Sequence, residues 1–422
     1  MKIRIAFGRE GMEIDVPDRN LAGVLEMGHA APLAEPENEL ERQLLEPLGG
    51  PPLADLARRA DTACVVVSDV TRPVPNKVLL PPVLRTLEEK GIGRENIVIL
   101  VATGLHRQST PAELGAMLGP RVCSDYRVVD HRAAVLGEQR FLGLTARKTP
   151  VYIDREYCDA DLKITTGFIE PHLMAGFSGG RKLVAPGCAG EMTIKALHSP
   201  AFLEDPGCCE GSIEANPLHR ELLEIAVMAG HDFIVNVSLN QDGTITGLFA
   251  GDPEEAHRRG MAFVRDAVRA TIPDPADIVI TTSAGYPLDL TYYQAVKGMT
   301  AALPVVRQGG MLIIAAKCEE GLGSPSFTSM ATSFRTVDAF VATIMANPVV
   351  TDQWQLEECA RAARKAEIVL VSPTVAERHG GALFIRTVST VGEALEDGLR
   401  RFGPDARVAV IPKGPYTLVG IA

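Results

Sequence analysis

The sequence lacks the short motifs that identify several common classes of binding site. No Cys-x-x-Cys pair occurs among the eight cysteines, which argues against a zinc knuckle or a thioredoxin-like redox centre. There is no HExxH and no Asp/Glu cluster of the kind that holds zinc or magnesium. A Walker A loop and a GxGxxG fingerprint are also missing, which argues against a P-loop site and a conventional NAD-dependent dehydrogenase.

Positive charge and long apolar runs are scarce as well. The 42 lysines and arginines are outnumbered by 53 acidic residues, and the formal net charge of −11 disfavours nucleic acid or an anionic membrane as the main partner. No run of about 18 apolar residues is present. Residues 1–9 alternate between apolar and polar instead of forming the apolar core of a signal peptide. With scattered cysteines in addition, we expect a cytoplasmic protein without disulfides.

Short apolar runs alternate with amphipathic helical patterns along most of the 422 residues. The apolar runs cover residues 63–67, 97–102, 162–166, 233–237, 278–282, 311–315, 368–371 and 408–411. The clearest helical patterns cover residues 77–90, 215–229, 253–270 and 354–366. This alternation predicts an α/β fold with mainly parallel sheets, preceded by a β-hairpin over residues 2–16.

The chain is long enough for two domains. Two prolines and an aspartate at Pro273-Asp274-Pro275 separate a helical pattern from a new strand, which predicts a boundary there. We therefore expect two α/β domains, residues 1–272 and 273–422, with the active site in the cleft between them. The last run, residues 406–422, can belong to either sheet, so the final strand can return to the first domain.

Polar loops marked by Gly or Pro follow four of the predicted strands. They contain Arg72, His106, His172, and the pair Gln294 and Lys297. Because ligands of open α/β sheets bind outside the carboxyl ends of the strands, these loops predict one convergent site.

The densest group of glycines lies in residues 175–187, which also contain Arg181 and Lys182. Consecutive amides in such a turn can bind an anion, and the two cations strengthen that interpretation. From these residues alone, a flexible surface turn with two solvated cations is an equal alternative.

Three of the nine histidines are candidates for chemistry. His106 and His172 follow strands, where an imidazole can accept or donate a proton near neutral pH. His198 follows a probable helix and is either a surface residue or a metal ligand. We expect the remaining six to be surface or capping residues: His29, His131, His219, His231, His257 and His379.

Taken together, these motifs resemble the nickel-pincer-dependent lactate racemase family of 2-hydroxy-acid racemases and epimerases. The matching segments run in family order over most of the chain. They are Ser68–Pro73, Gly104–Arg107, Glu170–His172, Ala175–Lys182, Pro186-Gly187, Thr193-Ile194 with His198, Tyr293-Gln294, Lys297-Gly298 and Asp352–Trp354.

The resemblance implies a nickel pyridinium-3,5-bisthiocarboxylic acid mononucleotide attached to Lys182 through a thioamide. His198 resembles the single protein ligand to nickel, the other ligands being a carbon and two sulfurs of the cofactor. We also expect the loop from Ser178 to shape the cofactor site, with its amides or Arg181 binding the phosphate of the cofactor. The full set of expected cofactor-binding residues is Lys182, Asp69, Thr71, Ser178, Gly179, Gly180, Arg181 and Trp354.

The resemblance also assigns the chemistry. His106 and His172 resemble the two acid/base catalysts, and Arg72 and Lys297 resemble groups that hold the substrate carboxylate, with Gln294 and Tyr293 beside them. Proton-coupled hydride transfer to and from the cofactor would pass through a 2-keto acid and yield the other enantiomer. The implied protein partners are the cofactor-making and nickel-inserting proteins.

Two alternatives to a lactate-like racemase remain at this point. A sugar-acid C2-epimerase would use the same chemistry in a more polar pocket. A non-catalytic relative that binds a nucleotide-like ligand would keep the fold without the reaction.

Overall fold

The computed structural model describes residues 1–28 and 30–422. The strands of the first part of the chain are β1 (Lys2–Ile5), β2 (Met12–Asp15), β3 (Leu21–Val24), β4 (Ala63–Ser68), β5 (Ile97–Ala102), β6 (Arg127–Asp130), β7 (Gln139–Leu144), β8 (Pro150–Asp154), β9 (Leu162–Phe168), β10 (Pro171–His172), β11 (Gly176–Phe177), β12 (Phe233–Leu239) and β13 (Ile245–Gly251). They are followed by β14 (Arg269–Ile272), β15 (Ala276–Thr282), β16 (Val306–Ala315), β17 (Ala366–Val371), β18 (Arg386–Val388), β19 (Val408–Ile411) and β20 (Leu418–Ile421).

The helices lie mostly between these strands. In the first part they are α1 (Pro36–Leu45), α2 (Leu53–Ala57), α3 (Asn76–Glu89), α4 (Pro111–Leu118), α5 (Pro120–Asp125), α6 (Arg155–Asp159), α7 (Glu191–Leu197), α8 (Pro200–Leu203), α9 (Pro217–Ala229) and α10 (Glu255–Val268). In the second part they are α11 (Tyr292–Ala302), α12 (Pro325–Ser333), α13 (Val337–Ala346), α14 (Gln353–Lys365), α15 (Pro373–His379) and α16 (Val391–Phe402).

Two six-stranded sheets organise the fold, as the alternation of strands and helices predicts. The first has the order β13-β12-β9-β4-β5-β6, and all its neighbours are parallel except the β12–β13 hairpin. The second has the order β18-β17-β16-β15-β19-β3 and is parallel throughout. Strand β4 is buried at every position, which is why it appears in the sequence as a continuous apolar run. The expected α/β fold with mainly parallel sheets is confirmed.

The structure differs from the expected division of the chain at its start. The β1–β2 hairpin forms as predicted, with Ile3 opposite Ile14. However, Ile3 and Ile5 pack in the same apolar cluster as Ile280 and Val410 of the second sheet. Strand β3 also joins that sheet beside β19. The first 24 residues therefore pack with the second half of the chain, because an alternating pattern indicates a strand without indicating its neighbour.

The end of the chain divides between two sheets. Strand β19 is inserted between β15 and β3 of the second sheet. Strand β20 pairs instead with β14 in a separate two-stranded sheet, which connects the end of the chain to the segment before the expected boundary. The helical pattern expected to reach residue 270 stops at Val268, since β14 begins directly after it.

Several histidines expected at the surface are buried instead. His131, His219 and His257 are 1%, 6% and 1% exposed. The His131 ring lies 2.7 Å from Asp154 Oδ2 through Nδ1 and 2.9 Å from the Ala189 carbonyl through Nε2. Such hydrogen-bond partners offset the free-energy cost of burying a polar ring. Because the partners are distant in sequence, the burial of this histidine could not be predicted from the residues around it. His29 lies outside the described residues.

The two halves of the chain meet through α14. The Arg361 side chain donates to the Cys208 carbonyl at 2.6 Å. Arg364 forms a bidentate ion pair with Glu204, with N–O distances of 2.7 and 2.9 Å. At the other end of the helix, Trp354 packs into the apolar cluster of the first half. These contacts place the start of α14 beside the carboxyl ends of the first sheet.

All eight cysteines are free in the structure. In the described part of the chain, every helix is too short or too polar to pass through a lipid bilayer.

Candidate active site

A cavity of about 650 Å³ lies where the two halves of the chain meet. Its walls are the loops after β4, β5 and β11, the last residue of β9, the end of α7, and the starts of α11 and α14. The predicted site residues that line it are Asp69, Thr71, Arg72, His106, Ser178, Gly179, Lys182, His198, Tyr293, Gln294 and Trp354. Residues far apart in sequence therefore converge at the carboxyl ends of the first sheet, as expected for an open α/β sheet.

His106 is held by a carboxylate behind its ring. Asp69 Oδ2 lies 2.6 Å from His106 Nδ1. The other Asp69 oxygen accepts from the Thr71 hydroxyl at 2.6 Å and from the Thr71 amide at 3.2 Å. Burial alone would raise the pKa of Asp69, but the hydrogen bonds from His106 and Thr71 outweigh it and lower that pKa. An ionised Asp69 keeps the proton of a neutral His106 ring on Nδ1 and leaves Nε2 free to accept another.

His172 is held differently, by backbone groups. The amides of Met174 and Ala175 both donate to its Nδ1 at 3.2 Å. Its Nε2 lies 3.1 Å from Lys182 Nζ. Burial, together with the charges of Lys182, Arg72 and Lys297, lowers the pKa of His172 well below its usual value. The imidazole is therefore neutral near pH 7.

Lys182 is half-buried and has several cations nearby. Burial lowers its pKa first, and Arg72 and Arg181 lower it further, so that it falls to about 7. At neutral pH a large share of Lys182 is a free amine. A free amine that lines a cavity is the form of lysine that forms a covalent bond to an electrophile.

His198 presents one ring nitrogen to the cavity. Its Nδ1–H donates to the Ile194 carbonyl at 2.8 Å. The proton of the neutral ring is therefore on Nδ1, and Nε2 is unprotonated. Burial lowers the pKa of His198 to about 4, so the ring is in the neutral form that binds metals. The His198 ring packs against Trp354 with centroids 4.8 Å apart. The Trp354 indole N–H donates to the Tyr293 hydroxyl at 3.2 Å.

Arg72 and Lys297, the cations expected to bind the substrate carboxylate, already interact with a carboxylate of the protein itself. Arg72 forms an ion pair with Glu170, whose side chain is 19% exposed. Burial and Arg72 lower the pKa of Lys297 to about 8, whereas Glu170 and Glu210 act in the opposite direction. Lys297 does not line the cavity itself, but the charges of this ion pair act on its ammonium group.

The glycine-rich loop packs into the protein more than it faces the cavity. Gly179 has φ +78°, and a Cβ there would lie 2.5 Å from Asn236 Oδ1. The Gly180 amide donates to the same oxygen at 2.8 Å. The Ser178 amide donates to the Glu170 carbonyl at 2.9 Å. These two amides are therefore engaged inside the protein, and the close approach of Asn236 accounts for at least one of the glycines.

Arg181 does not reach the cavity. Its side chain is among the largest that are fully buried, and it donates to the Ala175 carbonyl at 2.8 Å. His257 lies against it at 3.3 Å. Arg181 thus points to the opposite side of the loop from Lys182, and the expectation that it meets a phosphate is wrong. Burial lowers the pKa of this guanidinium to about 9.

Sequence reasoning did not assign a role to several residues of the site. Glu170 lies in a matching segment, but its pairing with Arg72 depends on two separate loops. Asn236 could have been noticed in the sequence, because it is a polar residue in the middle of the apolar run of β12. In the structure its amide is fully buried. Ser324 and Asp352 line the cavity, and the Ser324 hydroxyl donates to Asp352 Oδ2 at 2.6 Å.

The chain is similar to known proteins along nearly its whole length. The family model of the lactate racemase N-terminal domain matches residues 7–209, and that of the lactate racemase C-terminal domain matches residues 272–419. A lactate racemase from Thermoanaerobacterium thermosaccharolyticum is 33% identical over 422 residues, 99% of each chain. A lactate racemase from Lactiplantibacillus plantarum is 35% identical over 424 aligned positions, again 99% of each chain.

Two solved structures share the fold of this chain. The lactate racemase apoprotein from T. thermosaccharolyticum superimposes with a TM-score of 0.93 at 33% identity, covering 99% of this chain and 100% of that one. A structural-genomics protein from Thermotoga maritima shares the fold, with a TM-score of 0.69 at 19% identity over 93% of this chain and 100% of that one. From its sequence, its two matching domains and its fold, this chain belongs to the lactate racemase family of isomerases.

Proposed function

We propose that this chain racemises a lactate-like 2-hydroxy acid, using a nickel-pincer nucleotide bound at Lys182 and His198. The observation that carries the proposal is the convergence of Lys182, His198, His106 and Arg72 on one cavity in a chain of this family. Two further arguments support it: the fit of the residues to the cofactor and the orientation of the two acid/base histidines.

The cavity fits a metal whose ligands come mainly from a cofactor. Among the described residues, no group of three or more His, Cys, Asp or Glu side chains could hold a metal ion. His198 nevertheless offers a neutral, oriented Nε2, and Lys182 offers a free amine in the same cavity. Lys182 would hold the cofactor covalently and His198 would ligate its nickel. When bound, the cofactor supplies the hydride acceptor and donor for C2 of the substrate.

The two histidines would move the hydroxyl proton. His106, oriented by Asp69, accepts the proton at Nε2 from the enantiomer whose hydroxyl group faces it. His172 returns a proton on the other side. The positive charges around His172 oppose its protonation. Acylation of Lys182 would remove one of those charges and a substrate carboxylate would offset Arg72, so both would act to raise the pKa of His172.

Arg72 and Lys297 would hold the substrate carboxylate. A planar guanidinium can grip both carboxylate oxygens, and a lysine adds a point charge. The position of the cavity between the two halves of the chain would limit access of water to the 2-keto acid. The substituent of the substrate is less defined by the chain, because Leu173 and Met174, adjacent to His172, pack into the core of the first half instead of lining the cavity.

The experiment is a chiral assay on protein produced together with the cofactor-making proteins. We expect conversion of L-lactate to D-lactate by the parent chain. His106→Ala and His172→Ala are each expected to lower the rate at least a hundredfold while nickel stays bound. His379→Ala, on a helix outside the cavity, is the matched control and should keep the parent rate.

Full racemisation by either the His106→Ala or the His172→Ala variant would contradict the two-histidine scheme. A loaded parent protein that converts a sugar acid but leaves lactate unchanged would favour the epimerase alternative. A loaded protein that converts no 2-hydroxy acid would favour the non-catalytic relative.

A further inference from the structure

The ion pair between Arg72 and Glu170 lies at the position assigned to the substrate carboxylate. The two side chains are 33% and 19% exposed, so the pair is partly shielded from water. Arg72 lines the cavity, and it is the residue proposed to bind the substrate carboxylate. A carboxylate of the protein is therefore already paired with the guanidinium that would bind the substrate carboxylate.

Glu170 is fixed by its backbone on both sides. Its amide donates to Ser178 Oγ at 2.9 Å. Its carbonyl accepts from the Ser178 amide at 2.9 Å, and Ser178 Oγ in turn donates to the Phe168 carbonyl at 2.8 Å. The carboxylate is therefore carried by a braced turn between β9 and β10, and its approach to Arg72 is a feature of the fold.

A second cation lies within electrostatic reach of the same carboxylate. Lys297 approaches from α11 in the other half of the chain, and both Arg72 and Glu170 influence its charge state. Without Glu170, the repulsion between Arg72 and Lys297 would lose a compensating negative charge. The carboxylate keeps them together until a ligand brings its own negative charge.

We propose that Glu170 is a positioning residue that acts as an internal competitor of the substrate carboxylate. It pairs with Arg72 before a 2-hydroxy acid binds and releases Arg72 when the acid binds. The inference rests on the proposed role of Arg72. Its consequence is that Glu170 weakens the binding of both enantiomers and helps to release the product, because each departure of a carboxylate restores the internal ion pair.

The test is a graded series at position 170 with a matched surface control. Glu170→Gln keeps the shape and removes the charge, and Glu170→Asp keeps the charge but withdraws it by one methylene group. Glu41→Gln removes a carboxylate from another Glu–Arg pair, with Arg85, that lies away from the cavity. Thermal unfolding of each variant establishes that it is folded.

L-lactate is titrated into each cofactor-free protein by calorimetry, with the fluorescence of Trp354 as a second signal. Trp354 is the one tryptophan of the chain and lines the cavity. We expect Glu170→Gln to lower Kd about fivefold, a typical effect of removing a partly shielded competing charge, and Glu170→Asp to give an intermediate value. Glu41→Gln should leave Kd unchanged. In the loaded enzyme KM should fall with Kd in Glu170→Gln, whereas kcat should not rise.

An unchanged or higher Kd in a folded Glu170→Gln or Glu170→Asp protein would overturn the inference. A merely structural role of Glu170 would also predict weaker binding, so the direction of the change separates the two. Racemisation of lactate by the loaded parent chain tests the proposed function independently. If the parent racemises lactate and the series shows no tightening, only the role of Glu170 fails.

Discussion

The charge state of Lys182 allows a quantitative test of the cavity in the cofactor-free protein. Burial and the nearby Arg72 and Arg181 lower the pKa of this lysine from 10.5 to about 7. Near pH 7 about half of Lys182 would be the free amine, whereas an ordinary lysine, with a pKa of about 10.4, would be free at the level of a few parts in ten thousand. The difference corresponds to roughly a thousandfold in the reactive fraction.

Trace acylation with a small reagent such as acetic anhydride measures this fraction directly. Labelling of each lysine is followed by peptide mass spectrometry between pH 6 and pH 11. We expect the labelling of Lys182 to have its midpoint near pH 7. Lys2 is an internal reference, because its hydrogen bond to Glu13 raises its pKa above the usual value.

Arg72→Gln should move the Lys182 midpoint upwards, because Arg72 is the largest of the charges that lower the pKa of Lys182. Arg85→Gln removes an arginine that lies outside the cavity and should leave the midpoint unchanged. A Lys182 midpoint at pH 10 or above in the parent protein would refute the reasoning, since the amine would then be as hydrated as a surface lysine.

Two further predictions concern the carboxylates. Asp69→Asn should lower kcat for racemisation at least tenfold with little change in folding, because the amide cannot fix His106 through an ionised oxygen; an unchanged kcat in the chiral assay would contradict this. Burial raises the pKa of Glu358 from 4.5 to about 8. The folded protein therefore favours the protonated carboxyl group, and the stability that this group contributes is complete below pH 4.5 and is lost as the pH rises towards 8. Glu358→Gln should therefore raise the free energy of unfolding at pH 8 by about 1–2 kcal/mol and have a smaller effect at pH 5, measured by urea denaturation; equal effects at both pH values would contradict it.

Most of the fold could be predicted because its strands are buried on both faces. Such strands are continuous apolar runs in the sequence, and each predicted run coincides with a strand. The position of the first strands could not be predicted. Strand β3 pairs with β19, almost 400 residues further along the chain, and the sequence of an edge strand does not specify its partner.

The site shows the same division between local and non-local information. Lys182, His198 and His106 follow strands or a helix, and their common cavity follows from the rule that places ligands at the carboxyl ends. Arg181 was misplaced because adjacent residues of a tight turn point in different directions, and its burial against His257 involves a helix 76 residues away. The partnership of Arg72 and Glu170 bridges 98 residues and is equally invisible in either segment alone.

The most direct test of the central claim is a two-way chiral time course. Protein loaded with the cofactor is incubated separately with L-lactate and with D-lactate, beside Lys182→Ala produced in the same way. The account predicts that both reactions of the parent converge on equal amounts of the two enantiomers without accumulation of pyruvate, and that the variant leaves each enantiomer unchanged. Convergence in the Lys182→Ala protein, or no conversion by a parent that carries both cofactor and nickel, would contradict it.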